Sequence, residues 1–146
     1  MSAVQDFKNL EDGFLKFARN HFQYIKSGSS RSVFRISKRR VVKIAINQIG
    51  LEQNKVEWRI SQKKQNWPYI TKAIYKDKNY NWVISEFANN SITNTKVNKA
   101  MYNFGEFISK YKLSVDLEKP SSWGIKGKRA VVLDYGAPIS LLQKYY

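Results

Sequence analysis

Three charged residues, Lys43, Glu57 and Asp134, say little one at a time and gain meaning from their order along the chain. Lys43 is the single charged residue of the apolar run Val41-Val42-Lys43-Ile44-Ala45. An ammonium inside an apolar strand carries a desolvation cost unless an anion meets it, and a carboxylate of the chain or a bound polyphosphate would serve. Glu57 follows 14 residues later, on the next element. Asp134 closes the apolar run Val131-Val132-Leu133 and precedes Tyr135 and Gly136. Each also has a plain structural reading. Lys43 would face solvent from an alternating strand, Glu57 would lie on a helix surface, and Asp134 would open a turn.

Composition removes several other chemistries. The chain has no cysteine, which excludes disulfides, thiolate zinc sites and thiol nucleophiles. Its one histidine, His21, excludes multi-histidine metal centres, argues against a Ser-His-Asp triad, and reads as structural or surface. At 146 residues, with 42% apolar and 14% aromatic residues, one compact folded domain is expected over 1–146. Uncharged stretches such as Ile44 to Leu51 fall far short of the ~18 apolar residues a membrane helix needs. The start, Met1-Ser2-Ala3-Val4-Gln5-Asp6, has neither a basic region nor an apolar core, so no secretory signal and a cytoplasmic location are expected.

The elements that must position these residues follow from periodicity. Phe7, Leu10, Phe14 and Phe17 form the apolar stripe of a helix within 1–21. A short strand from Phe22 to Ser27 leads to a turn at Gly28-Ser29-Ser30, then to strands Ser32 to Ser37 and Arg40 to Ile46 around Lys38-Arg39. Asn47 to Lys64 reads as a helix carrying Glu57, ended by Pro68, although Val56 to Ile60 also alternates as a strand would. Tyr69 to Tyr75 and Tyr80 to Phe87 form a hairpin across Lys76-Asp77-Lys78-Asn79. Val97, Met101, Phe104, Ile108 and Tyr111 mark one long helix from Asn94 to Leu113. A second hairpin joins Trp123-Gly124-Ile125 to Arg129 through Tyr135. The fold class is α+β with a mainly antiparallel sheet.

Taken in order, the motifs resemble the protein-kinase-like fold. They are Gly28-Ser29-Ser30-Arg31-Ser32-Val33-Phe34, the Lys43 strand, Glu57, Trp82-Val83-Ile84-Ser85-Glu86-Phe87-Ala88 and Asp134-Tyr135-Gly136. The likeness is strongest to the small N-terminal lobe and to reduced kinase-like proteins of phages. It implies an N-lobe-like sheet and helix over 22–88 and a truncated C-lobe-like helix and hairpin over 94–136. It implies that Gly28, Ser29 and Ser30 cover nucleotide phosphates, that Lys43 contacts those phosphates and pairs with Glu57, and that Asp134 binds magnesium. Ser85, Glu86 and Phe87 would flank the adenine, beneath Val33 and Val41. ATP and magnesium are the cofactors implied, since magnesium needs only one or two protein carboxylates when phosphates supply the rest.

The sequence departs from that pattern too. One glycine stands where the phosphate loop has three, and no His-Arg-Asp occurs. Asp116-Leu117-Glu118-Lys119-Pro120-Ser121-Ser122 is a faint echo of the catalytic loop, offering Asp116 as the catalytic base or as a loop or capping aspartate. Between Ala88 and Asp116 lie 27 residues, room for one helix, and 10 residues follow Gly136.

Charge is the other informative feature. The formal net charge is +15, roughly twice the magnitude that solubility asks of a small domain. From Gly13 to Leu51 no acidic residue occurs across 39 positions, while Arg31, Arg35, Lys38, Arg39 and Arg40 are all basic. Such a one-sign field steers polyanions. Lys72, Lys76 and Lys78 lie among Tyr69, Tyr75, Tyr80 and Trp82, which would either stack on bases or pack in the core. The function expected first is a catalytically reduced kinase-like binding module, a phage effector engaging nucleic acid or a nucleic-acid machine. A small ATP- and magnesium-dependent phosphotransferase and an inhibitor docking on an acidic host protein are the alternatives.

Overall fold

The structure, a computed structural model, describes residues 2–89, 92–113, 120–136, 138 and 141. The chain divides into two compact units, Met1–Asn54 with Ala73–Phe87, and Lys55–Lys72 with Ala88–Tyr146. The first unit takes in the N-terminal helices, and residues 55–72 fall in the second.

The first unit is built on a five-stranded antiparallel sheet. Its strands are β1 (Gln23–Ser27), β2 (Arg31–Ser37), β3 (Arg40–Ala45), β4 (Ala73–Lys76) and β5 (Trp82–Glu86), in the order β1-β2-β3-β5-β4. Register decides which side chains share a face. Phe34 lies opposite Val42, and Val42 opposite Ile84, so these three point one way. With Ile44 and Trp82 they form an apolar core with Phe7 and Ala18. Val33 lies opposite Lys43, and Lys43 opposite Val83, so the lysine points to the other face.

The expected N-terminal helix is broken into α1 (Ala3–Lys8) and α2 (Phe14–His21). Gly13 opens α2 with φ +67, a conformation that favours glycine. The break has a packing reason. Phe7 and Phe17 have ring centroids 6.1 Å apart, whereas ten residues of straight helix would separate them by about 15 Å. Folding back lets Phe14, Phe17, Phe22 and Trp82 all surround the fully buried Phe7 ring.

Helix α3 (Gln48–Ser61) begins in the first unit and passes into the second after Asn54. It stops earlier than its sequence suggests. Asn66 Nδ2 donates to the Ile60 carbonyl at 2.9 Å and Trp67 Nε1 to the Ser61 carbonyl at 2.8 Å, satisfying carbonyls that a helix end leaves open. A 3-10 helix over Lys64–Tyr69 accommodates Pro68, so β4 starts only at Ala73.

The second unit holds α4 (Asn94–Asn103), α5 (Gly105–Tyr111), a short 3-10 turn at Pro120–Ser122 and the hairpin of β6 (Trp123–Lys126) and β7 (Arg129–Val132). Thr93 caps α4 by accepting the Lys96 amide at 3.2 Å. The single long helix expected from Asn94 to Leu113 is two helices that meet at Phe104, whose ring lies 4.9 Å from that of Tyr69 and 5.5 Å from that of Trp123. Ile60, Ile70, Val97, Phe107, Trp123, Val132 and Tyr135 form this unit's core. Among the described residues no helix is long and apolar enough to cross a membrane.

Candidate functional site

Lys43 is buried, with 4% of its surface exposed, between Val33 of β2 and Val83 of β5. Ser85 lies on the same face two residues beyond Val83, opposite Val41, and its fully buried Oγ has no hydrogen-bond partner. Asn54 of α3 closes over this face. Its amide nitrogen donates to the Tyr80 carbonyl at 2.9 Å and reaches the Lys43 carbonyl at 3.5 Å, while its oxygen accepts from Arg31 Nη1 at 3.1 Å. The sheet thus carries a hydrocarbon core on one side and, on the other, Arg31, Lys43 and Ser85 buried among Val33, Val41 and Val83. A buried hydroxyl without a partner beside a buried lysine suits a ligand that brings acceptors.

The turn expected over the phosphates is held down by the start of α3. Asn47 accepts the Gly50 amide at 3.1 Å through its side-chain oxygen and donates to the Ser29 carbonyl at 3.0 Å. Ser30 Oγ donates to Gln53 at 2.6 Å, and the Ser30 carbonyl accepts from the Ile46 amide at 2.8 Å. Gly50 is required here, because a Cβ would collide with that same Ser30 carbonyl oxygen. Gly28 is not required in this way: it has no positive φ, and a Cβ would meet nothing within 4 Å.

Glu57 is fully buried, one helical turn beyond Asn54. In the second unit Asp134 is half-buried just past β7. Its neighbour Tyr135 explains the aromatic at this point: the ring is buried in the core, and the hydroxyl donates to the Thr71 carbonyl at 2.6 Å. A phenylalanine would leave that carbonyl without this donor. Asp116 lies outside the described residues. No cluster of three metal-ligating side chains occurs among the described residues.

The basic residues separate by exposure. Lys38, Arg39 and Lys78 are exposed, and Arg40, Lys72 and Lys76 half-buried. Arg35 is drawn over the Phe87 ring at 4.0 Å and donates to the Lys38 carbonyl at 2.8 Å. Lys72 and Lys76 lie over Trp67 and Tyr80, each at 4.5 Å. Arg31 leaves the surface set: at 8% exposure its guanidinium braces Asn54. Glu86 stands opposite Arg40 across the sheet. Asn54 and Gly50 escaped the sequence reading, which named Ser85 only as flanking the adenine. A fully buried asparagine on a polar-looking helix leaves no periodic signal, and the demand on Gly50 comes from a turn far away in the chain.

The sequence matches no protein-family model and none of the curated proteins compared with it. In structure the chain is similar to the aminoglycoside phosphotransferase APH(2")-IIa, solved as a ternary complex with streptomycin and ATP. The TM-score is 0.51 at 12% sequence identity, covering 88% of this chain and 71% of that one. The phosphotransferase has a protein-kinase-like fold, and at this identity the likeness is one of fold: the chain described here is protein-kinase-like in architecture, α+β with an antiparallel sheet.

Proposed function

We propose that the protein is a catalytically reduced, kinase-like binding module that holds a nucleoside triphosphate with magnesium and engages a polyanion through its cationic surface. In this reading Lys43 contacts the phosphates and pairs with Glu57, and Asp134 holds the metal. Ser85 offers its hydroxyl beside the base. The observation that carries the reading is the burial of Lys43, at 4% exposure, on a sheet face that also holds an unsatisfied serine hydroxyl. Magnesium would supply charge neutralisation of the phosphates when bound. The fold of the ATP-binding neighbour supports the choice of nucleotide.

Loss of the catalytic-loop pattern favours binding over phosphoryl transfer, since transfer depends on positioning both substrates as well as the metal. The polyanion half of the proposal is supported by Lys38 and Arg39, exposed at the turn between β2 and β3 within the acid-free stretch. The Lys-, Asn- and Ile-rich composition is that of AT-rich genomes, phage or low-GC bacterial, and the proposed module is of the phage-effector type.

Thermal denaturation with a non-hydrolysable ATP analogue and magnesium tests the nucleotide site. A ligand at 100 times its Kd adds about 2.7 kcal/mol of stability, so a rise of several degrees is expected. Lys43→Met and Asp134→Ala should each abolish that rise. No rise in the unaltered protein at saturating nucleotide would refute the reading, and Asp134-dependent transfer of the γ-phosphoryl group of ATP to an acceptor, leaving ADP, would establish the phosphotransferase instead.

A further inference from the structure

The second unit carries a depression that none of the residues discussed so far explains. Its floor is apolar, made by Tyr69, Ala100, Phe104, Ile125 and Ala130, and it encloses about 420 Å³. That volume lies within the roughly 300–1,000 Å³ of ordinary ligand pockets. The rim is cationic on two sides. Lys96 and Lys99, one turn apart on α4, stand on one side, and Lys128 and Arg129, at the turn between β6 and β7, stand on the other. All four are exposed, and none of the residues lining the depression is acidic.

We propose that this depression binds single-stranded nucleic acid, seating one base on the Tyr69 and Phe104 floor with the flanking phosphates at Lys96/Lys99 and Lys128/Arg129. The arrangement of charge selects the ligand. A free nucleotide carries its phosphates on one side of the base, whereas a strand carries them on both, as the rim does. The Tyr69 and Phe104 rings meet at 74°, so a base stacks on one ring against the edge of the other. Aromatic surface between lysines and arginine is the combination that single-strand binding uses, stacking being worth about 1–3 kcal/mol per base. An acidic peptide would satisfy the rim and leave the floor without a flat partner. The proposal deepens the polyanion half of the reading above, on a different unit and with different residues.

The test is fluorescence anisotropy of a labelled deoxythymidine or uridine decamer across a salt series, with inorganic polyphosphate, free UMP and a poly-glutamate peptide as competitors. The decamer is expected to bind, and both the abasic polyphosphate and the peptide to compete at least tenfold more weakly. Lys128→Gln with Arg129→Gln should weaken binding about tenfold or more and lower the slope of log affinity against log salt by about 1.4, about 0.7 for each phosphate of a single strand no longer neutralised. Lys99→Gln should lower it by about 0.7. Unchanged affinity in both variants, equal competition by polyphosphate or peptide, or full displacement by UMP at the decamer's own concentration would each overturn the proposal. Lys43→Met is expected to leave decamer binding unchanged, and Lys128→Gln/Arg129→Gln to leave the ATP-analogue shift unchanged, so the two sites fail separately.

Discussion

Lys43 shows how one residue in an otherwise ordinary strand redirects the account of a whole sheet. Its neighbours Val42 and Ile44 point into hydrocarbon, while the lysine turns to the face where Asn54 and Ser85 lie. A lysine buried to this extent needs a compensating anion, and the proposed partner inside the chain is the equally buried Glu57. A double-mutant cycle reads that pairing directly. Lys43→Met and Glu57→Gln are each expected to cost about 3 kcal/mol, because removing one member of a buried pair leaves the other uncompensated. Made together, they should cost less than the sum by at least about 1 kcal/mol in urea denaturation. Strict additivity would show that the two charges do not interact. Lys43 and Asp134 drew notice in the sequence as charge within or at the end of an apolar run, whereas Glu57 was reached only through the resemblance of the motif order. Arg31, a basic residue in a basic stretch, looks solvated in the sequence, and the structure shows it buried with its guanidinium donating to Asn54.

At the scale of elements, β2 to α3 acts as one piece. The turn at Gly28-Ser29-Ser30 is fastened to the first turn of α3 by Asn47, Gln53 and the close approach of Gly50. The two glycines therefore predict opposite outcomes. Gly50→Ala forces a methyl group against backbone and should destabilise by about 2–3 kcal/mol. Gly28→Ala, in open space, should change stability by no more than about 0.5 kcal/mol. Chemical denaturation of both variants checks this, and a neutral Gly50→Ala would mean that the turn and the helix are not fastened. The succession of strands along the chain was readable from Val- and Ile-rich runs broken by turn residues, and their order in the sheet was not. Helix lengths were not. Phe7 with Phe17, and Phe104 with Ile108, keep a helical period that local pattern extends without a break. Burying the Phe7 ring among its aromatic neighbours, and packing Phe104 against Tyr69 and Trp123, bends both segments where periodicity alone runs straight.

For the molecule as a whole, net charge and fold make separate claims. A charge of +15 speaks to partners and leaves the fold open. Lys38→Glu with Arg39→Glu reverses the exposed turn between β2 and β3, away from any core. Affinity for heparin or nucleic acid at low salt should fall several-fold, with the melting temperature within about a degree, as expected of surface substitutions. Unaltered affinity would remove that turn from the contact surface. The kinase-like architecture was legible only in the order of weak motifs, none of which identifies the fold alone, and the structural likeness to APH(2")-IIa now supports it. The central claim is that Lys43 and Asp134 serve one metal-bound nucleotide. Its most direct measurement is paramagnetic NMR, with manganese replacing magnesium beside an ATP analogue. Resonances of both Lys43 and Asp134 should broaden only when nucleotide and metal are present together. Broadening at Asp134 alone, at neither residue, or with metal in the absence of nucleotide would contradict it.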